Sequence, residues 1–112
     1  MNREDCKCRC GCGLDINKEL FDKILLAEQN SGIKFRVNSG ARCFNHNKNE
    51  KGSPTSSHLK GLAIDISVAS DRERSIVVKA MLRVGITRIG IAKTFIHGDI
   101  DNTKSANVMW MY

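Results

Sequence analysis

The sequence predicts an α+β domain: a small, mostly antiparallel sheet with helices packed on one face. Three observations carry that expectation. Two segments repeat apolar residues at the helical period, while several shorter ones alternate apolar and polar residues with period two. The chain has only 112 residues, room for one core and no second. Hydrophobic residues at 41% and charged residues at 27% describe a folded domain, not a disordered or fibrous chain.

The first helix is expected to start at Asn17, which can cap it, with Ile16 and Phe21 spaced as a hydrophobic staple. Leu20, Phe21, Ile24, Leu25 and Ala27 follow at helical spacing, and Ser31-Gly32 ends the run. Ile33, Phe35 and Val37 then alternate with Lys34, Arg36 and Asn38, the pattern of a half-buried strand. Residues 44–57 (FNHNKNEKGSPTSS) are polar and broken by Gly52 and Pro54, so a loop is expected there. Leu62, Ile64 and Ile66 alternate with Ala63, Asp65 and Ser67 in a second strand. Ser70 and Glu73 have the spacing of a capping box, opening a helix through Ile76, Val77, Ala80, Met81 and Val84 to a stop at Gly85. Short strands are expected again at 87–91, 94–100 and 107–112.

Eighteen Lys and Arg against twelve Asp and Glu give a net charge of +6. Residues 34–60 hold six basic residues and one acid, Glu50. Such a stretch suits a nucleic acid, an anionic cell surface or an acidic substrate. Aromatic residues at 5% give no basic-aromatic interleaving for stacking on single strands, which argues against a nucleic-acid partner. No apolar run approaches the ~20 residues of a membrane span, so no membrane insertion is expected. The start MNREDCKCRC has no apolar signal-peptide core, so synthesis in the cytoplasm is expected.

Cys6, Cys8, Cys10 and Cys12 alternate, with Cys43 far behind. Three readings stand side by side: a structural zinc, a disulfide from Cys43 to one member of the run, or free thiols on a partly ordered tail. A zinc ribbon would need a second pair at knuckle spacing, which is absent.

Strand parity makes a sharper statement. If Leu62, Ile64 and Ile66 face the core, Asp65 faces away from the helices. In Phe95-Ile96-His97-Gly98-Asp99-Ile100, His97 and Asp99 share the face opposite Ile96 and Ile100. Asp65, His97 and Asp99 then stand on the open face of the sheet, with His58 just before the strand that bears Asp65. Two imidazoles and a carboxylate form a three-ligand site for a borderline metal, zinc above all, and leave a coordination position open. Singly, each residue has a plainer explanation: a hydrogen-bonded histidine, or a buried and paired carboxylate.

Ser56-x-His58-x-x-Gly61-x-Ala63-x-Asp65 resembles, position by position, the S-x-H-x-x-G-x-A-x-D motif of the zinc D-Ala-D-Ala carboxypeptidase family, peptidase M15. Ser39-Gly40-Ala41-Arg42, followed by Cys43 and His46-Asn47, is similar to an upstream segment of that family. Phe95-Ile96-His97-Gly98-Asp99 and the cysteine-rich start resemble its compact branch. The resemblance implies the hedgehog/DD-peptidase fold over a single domain, residues 1–112, with 1–13 as a cysteine-rich segment. It implies one catalytic zinc held by His58, Asp65 and His97. It implies that Arg42 holds a substrate carbonyl or carboxylate and steadies the oxyanion, a bidentate task for which lysine is unsuited. Ser56 is expected to touch substrate or to fix its loop.

The sequence departs from the family's commonest pattern at the base. Thr94 and Phe95 stand where many relatives place a proton acceptor, and neither can serve. Asp99 is the substitute, expected to act as general base or as the carboxylate that orients His97. Asp101 shares its face and is expected to be solvated, while His46 is expected to be structural.

The activity implied is hydrolysis of an amide bond in peptidoglycan stem peptides by a monomer, as a D,D-carboxypeptidase or endopeptidase similar to phage endolysins. It would be made in the cytoplasm and act on the wall after release. Two rival classes remain: a zinc-containing wall-binding module without catalysis, and a small nucleic-acid-binding protein organised by the cysteine run.

Overall fold

The computed structural model describes residues 1–112. In chain order it contains a 3-10 turn (Arg3–Cys6), α1 (Lys18–Ser31), β1 (Val37–Ser39), α2 (Phe44–Asn49) and a second 3-10 turn (Ser57–Lys60). These are followed by β2 (Ala63–Ser67), α3 (Asp71–Arg83), β3 (Arg88–Ile91), β4 (Phe95–Asp99) and β5 (Val108–Met111). The strands form one sheet in the order β1-β2-β4-β3-β5, antiparallel throughout except for the parallel pair β3/β5. The chain therefore has the α+β architecture expected of it, and no helix is long and apolar enough to cross a membrane.

Both long helices begin where their caps require. The Asn17 side chain accepts the N–H groups of Glu19 (2.8 Å) and Leu20 (3.3 Å), and α1 turns Leu20, Ile24 and Ala27 inward. Ser70 accepts the N–H of Glu73 at 3.1 Å at the head of α3, whose inward stripe is Val77, Ala80 and Met81. Glu73 reaches back to the N–H of Ala69 (3.1 Å), one residue beyond the usual partner in a capping box. The helices pack against each other and onto the sheet face made by Ile64, Ile66, Ile89 and Ile96, all fully buried. Burying side chains of this size stabilises by roughly 1.5–3 kcal/mol each before entropy is charged. With one face covered, the other is left for polar side chains.

Three expectations need correction. The strand predicted from Ile33 pairs only from Val37, with a register irregularity before Ser39. Phe35 still enters the core, but its N–H goes to the Glu28 carboxylate (2.7 Å) instead of to a neighbouring strand. Within the expected loop 44–57, residues Phe44–Asn49 form α2. This helix buries no apolar stripe: Phe44 is 69% exposed, and Asn47 is its one buried residue. The N-terminal segment is no loose tail. Cys6 and Cys8 are buried, the N–H of Ala41 donates to the carbonyl of Cys6 (2.9 Å), and the backbone of Gly40 lies against Cys6.

Candidate metal centre

The register of the sheet sets up the site. Asp65 on β2 lies opposite His97 on β4, His97 lies opposite Gly90 on β3, and Gly90 lies beside Trp110 on β5. Side chains in one cross-strand row share a face, so Asp65, His97 and Trp110 stand together on the side away from the helices. A side chain at Gly90 would meet the Trp110 indole at 2.7 Å. Its absence lets the indole lie over the sheet, with its ring centroid 5.4 Å from that of His97.

His58 comes from the second 3-10 turn. The Ser56 hydroxyl accepts the His58 N–H at 3.2 Å and caps that turn, and the carbonyl of His58 accepts the N–H of Arg42 (3.0 Å). The three side chains expected as ligands do converge, each buried. Asp65 Oδ1 lies 2.9 Å from His97 Nδ1 and 3.3 Å from His58 Nε2, and the ligand atoms all lie within 4.8 Å of one another.

The nitrogens that face outward from this cluster test whether a metal fits. His58 Nδ1 donates to the carbonyl of Gly40 at 2.7 Å, which leaves the lone pair of Nε2 pointing at Asp65. His97 Nε2 donates to Asp99 Oδ2 at 2.7 Å, so Nδ1, 2.9 Å from Asp65 Oδ1, is the nitrogen that faces the same way and is left to give a cation its lone pair. Each ring is thus fixed in the tautomer and orientation a cation needs, with an acceptor behind it. Two neutral imidazoles and one carboxylate, sharing a buried pocket open on one side, suit zinc in a three-protein-ligand site.

Electrostatics agree. Burial alone would raise the Asp65 pKa, but the imidazole N–H donors of His58 and His97, in whose place a metal would stand, outweigh it and hold the carboxyl at about 2. Burial alone would lower the His97 pKa, yet Asp65 and Asp99 on its two nitrogens raise it. This pair of carboxylates around an imidazole is an environment that favours positive charge.

A cleft of about 340 Å3 lies over the cluster, lined among others by Arg42, Ser56, Arg88, Phe95, Trp110 and Tyr112. Arg42 is far from a solvated surface arginine. Its Nε donates to the Ser39 hydroxyl (2.9 Å), Nη1 to Asn47 Oδ1 (3.2 Å) and Nη2 approaches Asp65 Oδ2 (3.5 Å). Ser56 lines the cleft and caps the turn bearing His58. Asp99 has both oxygens engaged, Oδ2 by His97 and Oδ1 by Arg88 Nε (2.7 Å) and the N–H of Asp101 (3.1 Å). Burial would raise its pKa, but His97, Asp101 and Arg88 lower it overall.

The roles of three residues escaped the sequence reading, and a fourth residue was misread. Asn47 braces Arg42, and its amide donates to the carbonyl of Ser53 (3.0 Å). Arg88 braces Asp99 and lies 5.2 Å from the Trp110 ring. Trp110 walls the cleft beside His97. Asp101, expected to be solvated, is 1% exposed and accepts from Ser57 Oγ (2.7 Å), Thr103 Oγ1 and Lys60 Nζ (3.2 Å). His46 stays outside the cluster, 3.6 Å from Glu50. The cleft's positive charge comes only partly from the basic stretch: Arg42 and Lys51 belong to it, Arg88 and Lys104 do not.

No curated protein matches the chain. Residues 1–99 match a family model described as Peptidase M15. That span runs from the first residue through both histidines, both aspartates and Arg42, so the chain belongs to the Peptidase M15 family of metallopeptidases.

Proposed function

We propose that the cleft hydrolyses an amide bond in peptidoglycan stem peptides, with one zinc ion held by His58 Nε2, the Asp65 carboxylate and His97 Nδ1. The observation that carries this reading is the pair of backing acceptors, Gly40 and Asp99, which aim both imidazole lone pairs at Asp65. Zinc in that position supplies Lewis acidity, polarising an amide carbonyl and acidifying water at neutral pH.

The chain's own residues do the rest. Arg42, held by Ser39 and Asn47, offers its fork to the substrate carbonyl or terminal carboxylate and to the oxyanion that develops. Asp99 keeps His97 in register, and Arg88 keeps Asp99 charged. Phe95, Trp110 and Tyr112 form an apolar wall that excludes water on one side. Arg42, Lys51, Arg88 and Lys104 suit the free carboxylates that stem peptides carry.

Digestion of purified peptidoglycan by the zinc-loaded protein, followed by mass analysis of the released muropeptides, tests the reading and identifies the bond. Stem-peptide fragments are expected, and they should vanish with His58→Ala. Intact peptidoglycan after prolonged digestion at neutral pH, with zinc bound, would overturn it. One observation favours a second reading, a wall-binding module: no carboxylate other than Asp65 and the fully engaged Asp99 lines the cleft. Zinc-dependent retention on peptidoglycan without any product would support that module.

A further inference from the structure

A second cluster lies outside the cleft. The sulfurs of Cys8, Cys10, Cys12 and Cys43 all lie within 4.8 Å of one another, brought together from opposite sides of α1 and β1. Cys8 Sγ is 3.4 Å from Cys10 Sγ, and Cys10 Sγ is 3.5 Å from Cys43 Sγ. All five cysteines are free thiols, and these separations are far beyond a disulfide's S–S bond of about 2.05 Å. They are close to the spacing that four thiolates adopt around one ion: a Zn–S distance of about 2.3 Å places tetrahedral sulfurs about 3.8 Å apart.

The backbone supports the same geometry. The N–H of Leu14's partner, Cys8, donates to the carbonyl of Leu14 (2.7 Å), closing a loop that carries Cys10 and Cys12 back toward Cys8. The N–H of Cys43 points at Cys8 Sγ (3.3 Å), and the N–H of His46 points at Cys43 Sγ (3.4 Å). Backbone N–H groups aimed at sulfur orient thiolate ligands and offset their charge, the role that carboxylates play behind histidine ligands. Arg9 pins the loop by donating to the carbonyl of Val37 (2.7 Å).

We propose that Cys8, Cys10, Cys12 and Cys43 form a second metal site, a closed tetrathiolate that holds a structural zinc. With four protein ligands it leaves no position for substrate, so it takes no part in hydrolysis. What it does is mechanical. Cys43 follows Arg42 directly, and Gly40, whose carbonyl fixes His58, lies against Cys6. An ion joining residues 8–12 to residue 43 clamps the segment that carries Arg42 and the His58 acceptor. This proposal does not rest on the reading of the cleft.

Metal analysis and cobalt substitution test it. Native mass spectrometry of reduced protein should find zinc retained by His58→Ala, with all five thiols unoxidised. Cobalt-loaded wild-type protein should show an intense thiolate-to-cobalt charge-transfer band together with tetrahedral ligand-field bands. Cys10 and Cys12 are exposed, so Cys10→Ser with Cys12→Ser leaves no polar atom buried. That double variant should lose one zinc per chain and the charge-transfer band, while the imidazole NMR signals of His58 and His97 still respond to zinc. A wild-type chain without the charge-transfer band, a double variant with an undiminished zinc count, or cysteines recovered as disulfides without zinc would each overturn the proposal.

Discussion

Asp99→Asn separates two tasks that one carboxylate can perform. In the structure Asp99 Oδ2 accepts the Nε2–H of His97 at 2.7 Å, and both residues are buried. Asparagine keeps an acceptor oxygen but loses the charge that makes this bond a strong one. A charge-assisted hydrogen bond is worth about 1.5–3 kcal/mol, roughly twice a neutral one. The loss should therefore be about 1.5 kcal/mol, which is about tenfold in zinc affinity and within the range of about 10–100-fold seen when a ligand's backing partner is removed. Chelator competition followed through the imidazole NMR signals of His58 and His97 measures it, because those signals report this centre alone. Zinc affinity within about twofold of wild type would refute the orienting role. A general base instead contributes about 10²–10⁴-fold in rate, so a fall of that size at full zinc occupancy would assign the proton transfer to Asp99.

Three other substitutions test neighbouring claims. Arg42→Lys keeps the charge but loses the fork braced by Ser39 and Asn47, so turnover of a stem peptide should fall by about 10²–10³-fold, as for removal of an oxyanion donor; steady-state kinetics at saturating zinc would show it. Asp101→Asn should cost about 1–3 kcal/mol at neutral pH, read by urea unfolding. The folded Asp101 carboxyl sits below its ordinary pKa: burial raises it, but bonds from Thr103, Ser57 and Lys60 outweigh that. Its contribution is present above the unfolded value of about 3.9 and is lost as pH falls, so the gap between variant and wild type should close below about pH 4. Gly40→Ala would put a β-carbon 2.2 Å from the carbonyl oxygen of Cys6, forcing the N-terminal segment or β1 to shift. A loss of about 1–3 kcal/mol in unfolding free energy is expected, along with weaker zinc binding, because the Gly40 carbonyl moves with it.

The legible parts of this fold were those written in local periodicity. Helical spacing with Asn17 and Ser70 as caps placed α1 and α3, and parity alone put Asp65, His97 and Asp99 on the open face. Singling out the candidate ligand set needed the motif resemblance, since parity says nothing of His58 on its 3-10 turn. α2 was hidden because its stability does not come from an apolar stripe; Cys43 caps it and Asn47 ties it to Arg42. Arg88 and Trp110 were hidden for another reason. They reach the site through the order of strands β4-β3-β5, and one strand's pattern does not name its neighbour. Asp101 was misread because a buried carboxylate on a polar face looks solvated until Ser57 and Lys60 are seen to converge on it. The cysteine run left its three readings open because it says nothing about where Cys43 lies.

The chain contains a single tryptophan, and its indole rests against His97 on the wall of the cleft. Excited at the red edge of indole absorption, where Tyr112 does not absorb, intrinsic fluorescence therefore has one emitter, lodged next to an imidazole whose charge governs its quenching. Loading the centre or filling the cleft should register as a change in emission from unlabelled protein, giving an optical titration of the site that no other residue contaminates.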